Sequence, residues 1–109
     1  LGAAVLRSTG APLLALAEEV AVSHHERWDG SGYPFGLGGE EIPLSGRIVA
    51  VAEVYDSLVG ERAYKRSWGS AEAVSFVRAG RGSQFDPMVV DAFLSVMARR
   101  AAMEAVPER

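Results

Sequence analysis

The stretch from Trp28 to Gly39, WDGSGYPFGLGG, packs five glycines and a proline into a dozen residues. Neither helix nor strand tolerates that density, because glycine loses most backbone entropy on ordering and proline brings no amide donor. The segment therefore reads as a loop. Structureless loops this long inside a compact domain are usually functional or disordered. Trp28, Tyr33 and Phe35 argue for order, since large aromatic side chains seek packing partners. Whatever the chain folds into must be built from segments on either side of this loop.

Those segments carry helical periodicity. Ala3 to Arg7 reads as the tail of a helix, broken by STGAP. Pro12 suits the first turn of the next helix, where a missing amide hydrogen is harmless. Leu13, Leu16, Ala17, Val20 and His24 then recur at spacings of three and four, which predicts one apolar face ending in a histidine. After the loop, Pro43 opens a helix running to about Val59, with Leu44, Ile48, Val51, Tyr55 and Leu58 as its core stripe. Val49, Glu53 and Asp56 form a neighbouring stripe, and Gly60 ends the helix. A further helix spans Ser70 to Ala79, with Ser70 as N-cap and Gly80 as terminator. RGSQFDP is a loop, Asp86 caps and Pro87 opens the last helix, and Val89, Phe93, Val96 and Met97 form its apolar face. RIVAVAEVY is short enough to argue as a strand, but its spacing and Pro43 favour helix. The expected fold is all-α: a helical bundle of about four to five helices with one long glycine-rich loop.

Length and charge narrow the class. The chain has 109 residues, enough for one small domain or part of a larger one, and 49% of them are hydrophobic. Eleven basic against 14 acidic residues give a formal charge of −3. That balance argues against long nucleic acid or an anionic membrane as partner, though a small anion needs only a local basic cluster. There is no cysteine, so no disulfide or zinc–thiolate site exists, which fits a cytoplasmic setting. No apolar run nears the roughly 20 residues that span a bilayer. LGAAVLRSTG lacks the basic start of a signal peptide and opens on an apolar residue, as a piece of a helix does.

All the imidazole of the chain sits in His24-His25, directly before the loop. Adjacent residues on a helix diverge by about 100°, so the two rings are expected to reach different ions, or to divide binding and substrate positioning. Imidazole nitrogen with carboxylate oxygen suits Fe, Mn, Zn or Ni rather than Ca or Mg. Glu53 is the best carboxylate partner, because its helix is otherwise apolar around it and an ionised group there asks for a counter-charge or a metal. Plainer readings stand beside these. His24 can be a core histidine bonded to backbone, Glu53 and Asp56 a solvated face, and Arg62, Lys65 and Arg66 an ordinary basic loop. Tyr64 and Trp68 can stack on a planar ligand or cover the core edge. Three ligands also fall short of a two-metal hydrolytic site.

HHERWDGSGYPFGLGGEEIPLSGRIVAVAEVYDSLVGERAYKRSW, His24 to Trp68, resembles the HD-GYP family of the HD phosphohydrolase superfamily, and FDPMVVDAFL resembles its C-terminal helix. The resemblance covers nearly all of the chain, and HHE-x-x-DG-x-GYP-x-G is a very specific motif. It implies an all-helical, bacterial, metal-dependent cyclic di-GMP phosphodiesterase of signal transduction. The family uses two or three metal ions, often Fe or Mn, held by His and Asp/Glu. On that pattern His24, His25 and Glu53 are metal ligands, with Glu53 where the family usually has aspartate. Asp56, Arg62 and Lys65 match substrate-contact positions. Gly32, Tyr33 and Pro34 are the GYP signature, associated with a diguanylate cyclase partner. The family's HD dyad and a further histidine normally precede this region, so residues 1–109 are expected to be the C-terminal part of one such domain. Without those groups the segment is expected to be inactive, to leave open whether it holds any metal alone, and to self-associate or swap through its uncovered face. The alternative is a degenerate, non-catalytic HD-GYP module that binds nucleotide or a cyclase.

Overall fold

A computed structural model describes residues 11–60 and 67–105. The expected helix tail at Ala3–Arg7 and the basic cluster Arg62, Lys65 and Arg66 lie outside them. Four α-helices follow in order: α1 (Ala11–Ser23), α2 (Leu44–Val59), α3 (Ser70–Ala79) and α4 (Pro87–Glu104), with a short 3-10 turn at Gly39–Glu41. Among the described residues there is no strand, only isolated bridges pairing Asp29 with Gly38 and Arg81 with Phe85. The fold is all-α. No helix among the described residues is long and apolar enough to cross a membrane.

The second helix is the hub, packing against α1, α3 and α4. Its Val51 meets Val77 of α3, Phe85 of the connecting loop and Val90 of α4 in the buried core, with Val54, Tyr55 and Phe93 packed around them. Close approach of α1 to α2 depends on Gly46: a Cβ there would collide with the Ser23 side chain, itself buried and bonded to the Glu19 carbonyl. The helix that leads into the histidines is thus set against the helix bearing Glu53.

The last helix begins as the sequence predicts. Asp86 Oδ1 accepts from the Met88 amide at 2.8 Å, and Pro87 stands at the first helical position. The same carboxylate, 4% exposed, pairs with Arg47 at 2.7 Å, and Arg47 also donates to the Ile42 carbonyl. One aspartate therefore caps α4 and ties it to α2.

Three expectations shift. The N-cap of α3 is Gly69, not Ser70; the Ser70 hydroxyl is bonded to Tyr55 Oη at 2.9 Å, and Glu72 accepts the Gly69 amide. In α4 the fully buried residue is Val90, and Val96 is half exposed. In α2, Leu44 and Ile48 of the expected core stripe are also about half exposed. These side chains, with Phe93 and Met97, line an open apolar groove of about 1070 Å³ between α2 and α4. The helices meet through Val51, Val90, Tyr55 and Phe93 and leave this groove open beside that contact, so periodicity named the apolar faces without saying what would cover them. Leu13 and Leu16 of α1 are likewise exposed.

Candidate metal and substrate pocket

Helix α1 ends at Ser23, so His24 and His25 stand on the turn that follows it. Freed from helical geometry, their rings do not diverge as a helix would make them. The centroids are 3.9 Å apart with planes tilted by 40°. His24 Nδ1 lies 2.8 Å from the Val20 carbonyl, which can only accept, so that nitrogen carries a hydrogen, and in the neutral ring Nε2 then presents its lone pair. Nε2 lies 3.2 Å from Glu53 Oε2. Two lone-pair atoms at that separation require a cation between them or a proton on one, and a backbone carbonyl behind the ring is the usual support of a metal-binding imidazole.

His25 is held differently. Its ring stacks on Tyr33, with centroids 4.9 Å apart and planes within 16°. Gly32 makes this possible. A Cβ there would lie 2.5 Å from the Arg27 amide nitrogen and the His25 carbonyl oxygen, and 2.7 Å from Glu26 Cα. The loop thus runs in backbone contact with the histidine turn. The Tyr33–Pro34 peptide is cis. The loop's two ends are closed by the Gly39 amide donating to Trp28, and its start is stitched to the loop before α4 by Trp28 and Asp29 amides donating to Gln84 and Ser83 carbonyls. Hydrogen bonds from the Ser31 side chain and amide hold the Asp29 carboxyl below its ordinary range.

Sequence reasoning passed over Glu26. It is 4% exposed, and its two oxygens accept the Phe35 amide at 2.8 Å and the Leu37 amide at 2.9 Å. The signal was present as the third letter of HHE. A buried carboxylate beside a loop rich in amides is the natural answer to the loop's own unsatisfied donors.

His24, His25, Gly32, Tyr33 and Glu53 all line one pocket of about 420 Å³, together with Ser57, Phe76 and Gln84. Asp56, one turn on from Glu53, lines the larger apolar groove instead, as does Glu53 on its other side. Pro34 is exposed on the loop, and Arg62 and Lys65 lie outside the described residues. Trp68 packs edge-on against Phe76, a residue of the pocket lining, at 5.8 Å. The larger cavity is apolar, whereas the histidines converge on the smaller one, so chemistry and volume separate. Nitrogen and oxygen donors of this kind fit a divalent transition metal. Among the described residues, no three His, Asp or Glu side chains converge as a complete ligand set.

A family model described as HD domain matches residues 3–89. The chain belongs to the HD domain family. Among curated relatives, a probable cyclic di-GMP phosphodiesterase of Vibrio cholerae is 56% identical over 82 residues, covering 75% of this chain and 19% of that protein. A 3'3'-cGAMP-specific phosphodiesterase 2 of the same organism is 42% identical over 93 residues, covering 85% and 18%. The crystal structure of a cyclic GMP-AMP specific phosphodiesterase from V. cholerae superposes with a TM-score of 0.61 at 30% identity, covering 77% of this chain and 21% of that one. The chain thus spans about a fifth of the length of the curated relatives it matches. The helical fold, the motif and these relatives agree on the HD-GYP character read from His24 to Trp68.

Proposed function

We propose that this chain supplies part of the catalytic site of a metal-dependent phosphodiesterase acting on a cyclic dinucleotide, with cyclic di-GMP as substrate. One observation carries the reading: His24, oriented by the Val20 carbonyl, presents Nε2 to Glu53 at 3.2 Å, in a pocket that His25 also enters. In this reading His24, His25 and Glu53 hold divalent metal, Fe or Mn. Bound metal in such sites polarises phosphoryl oxygens and lowers the pKa of a water towards neutrality. The protein's own part is to fix donor directions, through Val20 behind His24 and Tyr33 against His25. Asp56, Arg62 and Lys65 are assigned to the substrate, the arginine by its two-pronged grip on phosphate or guanine. The exposed loop around Gly32, Tyr33 and Pro34 is assigned to a diguanylate cyclase partner.

Two imidazoles and one carboxylate are too few for two ions that share a water. The remaining ligands are therefore assigned to the rest of the protein, and residues 1–109 alone to an inactive state. The test is metal content and turnover of cyclic di-GMP and 3'3'-cGAMP by the intact protein, with His24→Ala and Glu53→Asp variants. Loss of metal and turnover in His24→Ala supports the reading, and wild-type turnover in that variant refutes it. The lack of a three-donor set among the described residues also favours a second reading, a non-catalytic module that binds the dinucleotide or a cyclase. Binding of cyclic di-GMP by an intact protein without turnover would select it.

A further inference from the structure

The two histidines are oriented by different means. His24 has a carbonyl behind its ring, whereas the ring contacts of His25 among the described residues are aromatic, with Tyr33 and His24. The direction of His25 therefore depends on where the loop places Tyr33. That loop is anchored at its ends by Trp28 and Gly39, and its crown is held by three amides: Tyr33 donates to the His25 carbonyl at 3.3 Å, and Phe35 and Leu37 donate to Glu26. The Glu26 bonds are the shorter ones and are charge-assisted, the stronger class. Tyr33 and Phe35 are themselves 61% and 69% exposed, so side-chain burial does little to hold the crown.

We propose that Glu26 is a positioning residue for His25: by gripping the Phe35 and Leu37 amides it sets the crown of the loop and so holds the Tyr33 ring against the imidazole. The consequence for metal rests on the reading of His25 as a ligand, whereas the positioning itself does not. A carboxylate is suited to the task because it accepts at both oxygens. Glutamine at the same length keeps one acceptor and turns an NH₂ donor towards an amide donor. Aspartate is a methylene short of spanning both amides. Glu26 lies next in sequence to the residue it positions, so the HHE triplet holds a ligand candidate and its support together.

The test uses the 109-residue chain and needs no metal. With two histidines, the imidazole C–H proton signals number four, and a His24→Asn variant assigns them. In the wild type the His25 signals are expected to be displaced upfield by the stacked Tyr33 ring. Tyr33→Leu, at an exposed position, removes that displacement directly. Glu26→Gln is expected to remove it too, to leave the His24 signals in place, and to add nothing when combined with Tyr33→Leu. If Tyr33→Leu leaves the His25 signals unmoved, or if folded Glu26→Gln keeps the wild-type displacement, the proposal is overturned. Should Glu26→Gln not fold, Glu26→Asp carries the same readout with the same two outcomes. In a parallel Mn²⁺ titration of the intact protein, both single variants are expected to bind about 10-fold more weakly, the lower end of losses on removing support behind a ligand. Intact protein whose Mn²⁺ affinity is unchanged by both variants refutes the ligand reading of His25, while the proton spectra still decide the role of Glu26.

Discussion

Gly32→Ala is expected to be the most damaging methyl group that can be added to the loop. The three nearest atoms to the new Cβ are backbone atoms at 2.5, 2.5 and 2.7 Å, and none can swing aside as a side-chain end could. The loop must back away from the histidine turn. Doing so lengthens the Tyr33 bond to His25 and the two amide bonds to Glu26, whose acceptor is ionised. Hydrogen bonds to charged groups contribute about 1.5–3 kcal/mol each, and forced overpacking costs about 1–3 kcal/mol. Because water can replace part of what is lost, the expected destabilisation is about 2–4 kcal/mol. Gly39→Ala is the control. Gly39 has φ of +58° and nothing within 4 Å of its would-be Cβ, so only the left-handed backbone penalty of about 1–2 kcal/mol applies. The entropy gained by restricting the unfolded chain is common to both and cancels. Urea unfolding followed by helical circular dichroism should separate them by about 1 M in midpoint, at a slope of about 1–3 kcal/mol per M. A Gly32→Ala midpoint at or above that of Gly39→Ala refutes the close-contact argument.

Asp86→Ala should cost about 2–4 kcal/mol in thermal or urea unfolding, because it removes the carboxylate partner of half-buried Arg47 and uncaps α4 together; Asp86→Asn should recover only the cap's share. Asp91 is held below its ordinary value of 3.8 by its hydrogen bonds and charge contact with Arg81. A depressed acid contributes stability above its unfolded pKa and loses it as pH falls through the folded value. Asp91→Asn should therefore flatten the acid side of the stability profile below about pH 4, and an unchanged profile would count against the pair. Ile48→Glu in the groove between α2 and α4 should reduce concentration-dependent association of the chain in light scattering; a wild type that stays monomeric at all concentrations removes that expectation.

Helix identity was legible in the sequence, because periodicity, Pro43, Asp86 and Pro87 are local signals that need no knowledge of the partner helix. The four described helices begin and end within a residue or two of the pattern, and Ser70 stands one position inside its helix, with its hydroxyl engaged by Tyr55, fifteen residues away. His24, His25 and Glu53 were legible as donors, and the HHE–GYP spacing was specific enough to point to the family. What could not be read was direction. The helix ends before His24, so the rule that neighbours diverge no longer applied, and Glu53 rather than Asp56 meets the histidine because α2 is docked on α1 through Gly46 and Ser23. Glu26 escaped because its role is defined by amides nine and eleven residues on, whose positions exist only once the loop has closed. The sequence by itself determined which residues are helical and which carry donor atoms, since both follow from local chemistry. The tertiary structure alone decided which donors share a pocket, because that depends on the approach of two backbones at a glycine and on a buried carboxylate that fixes the loop between them.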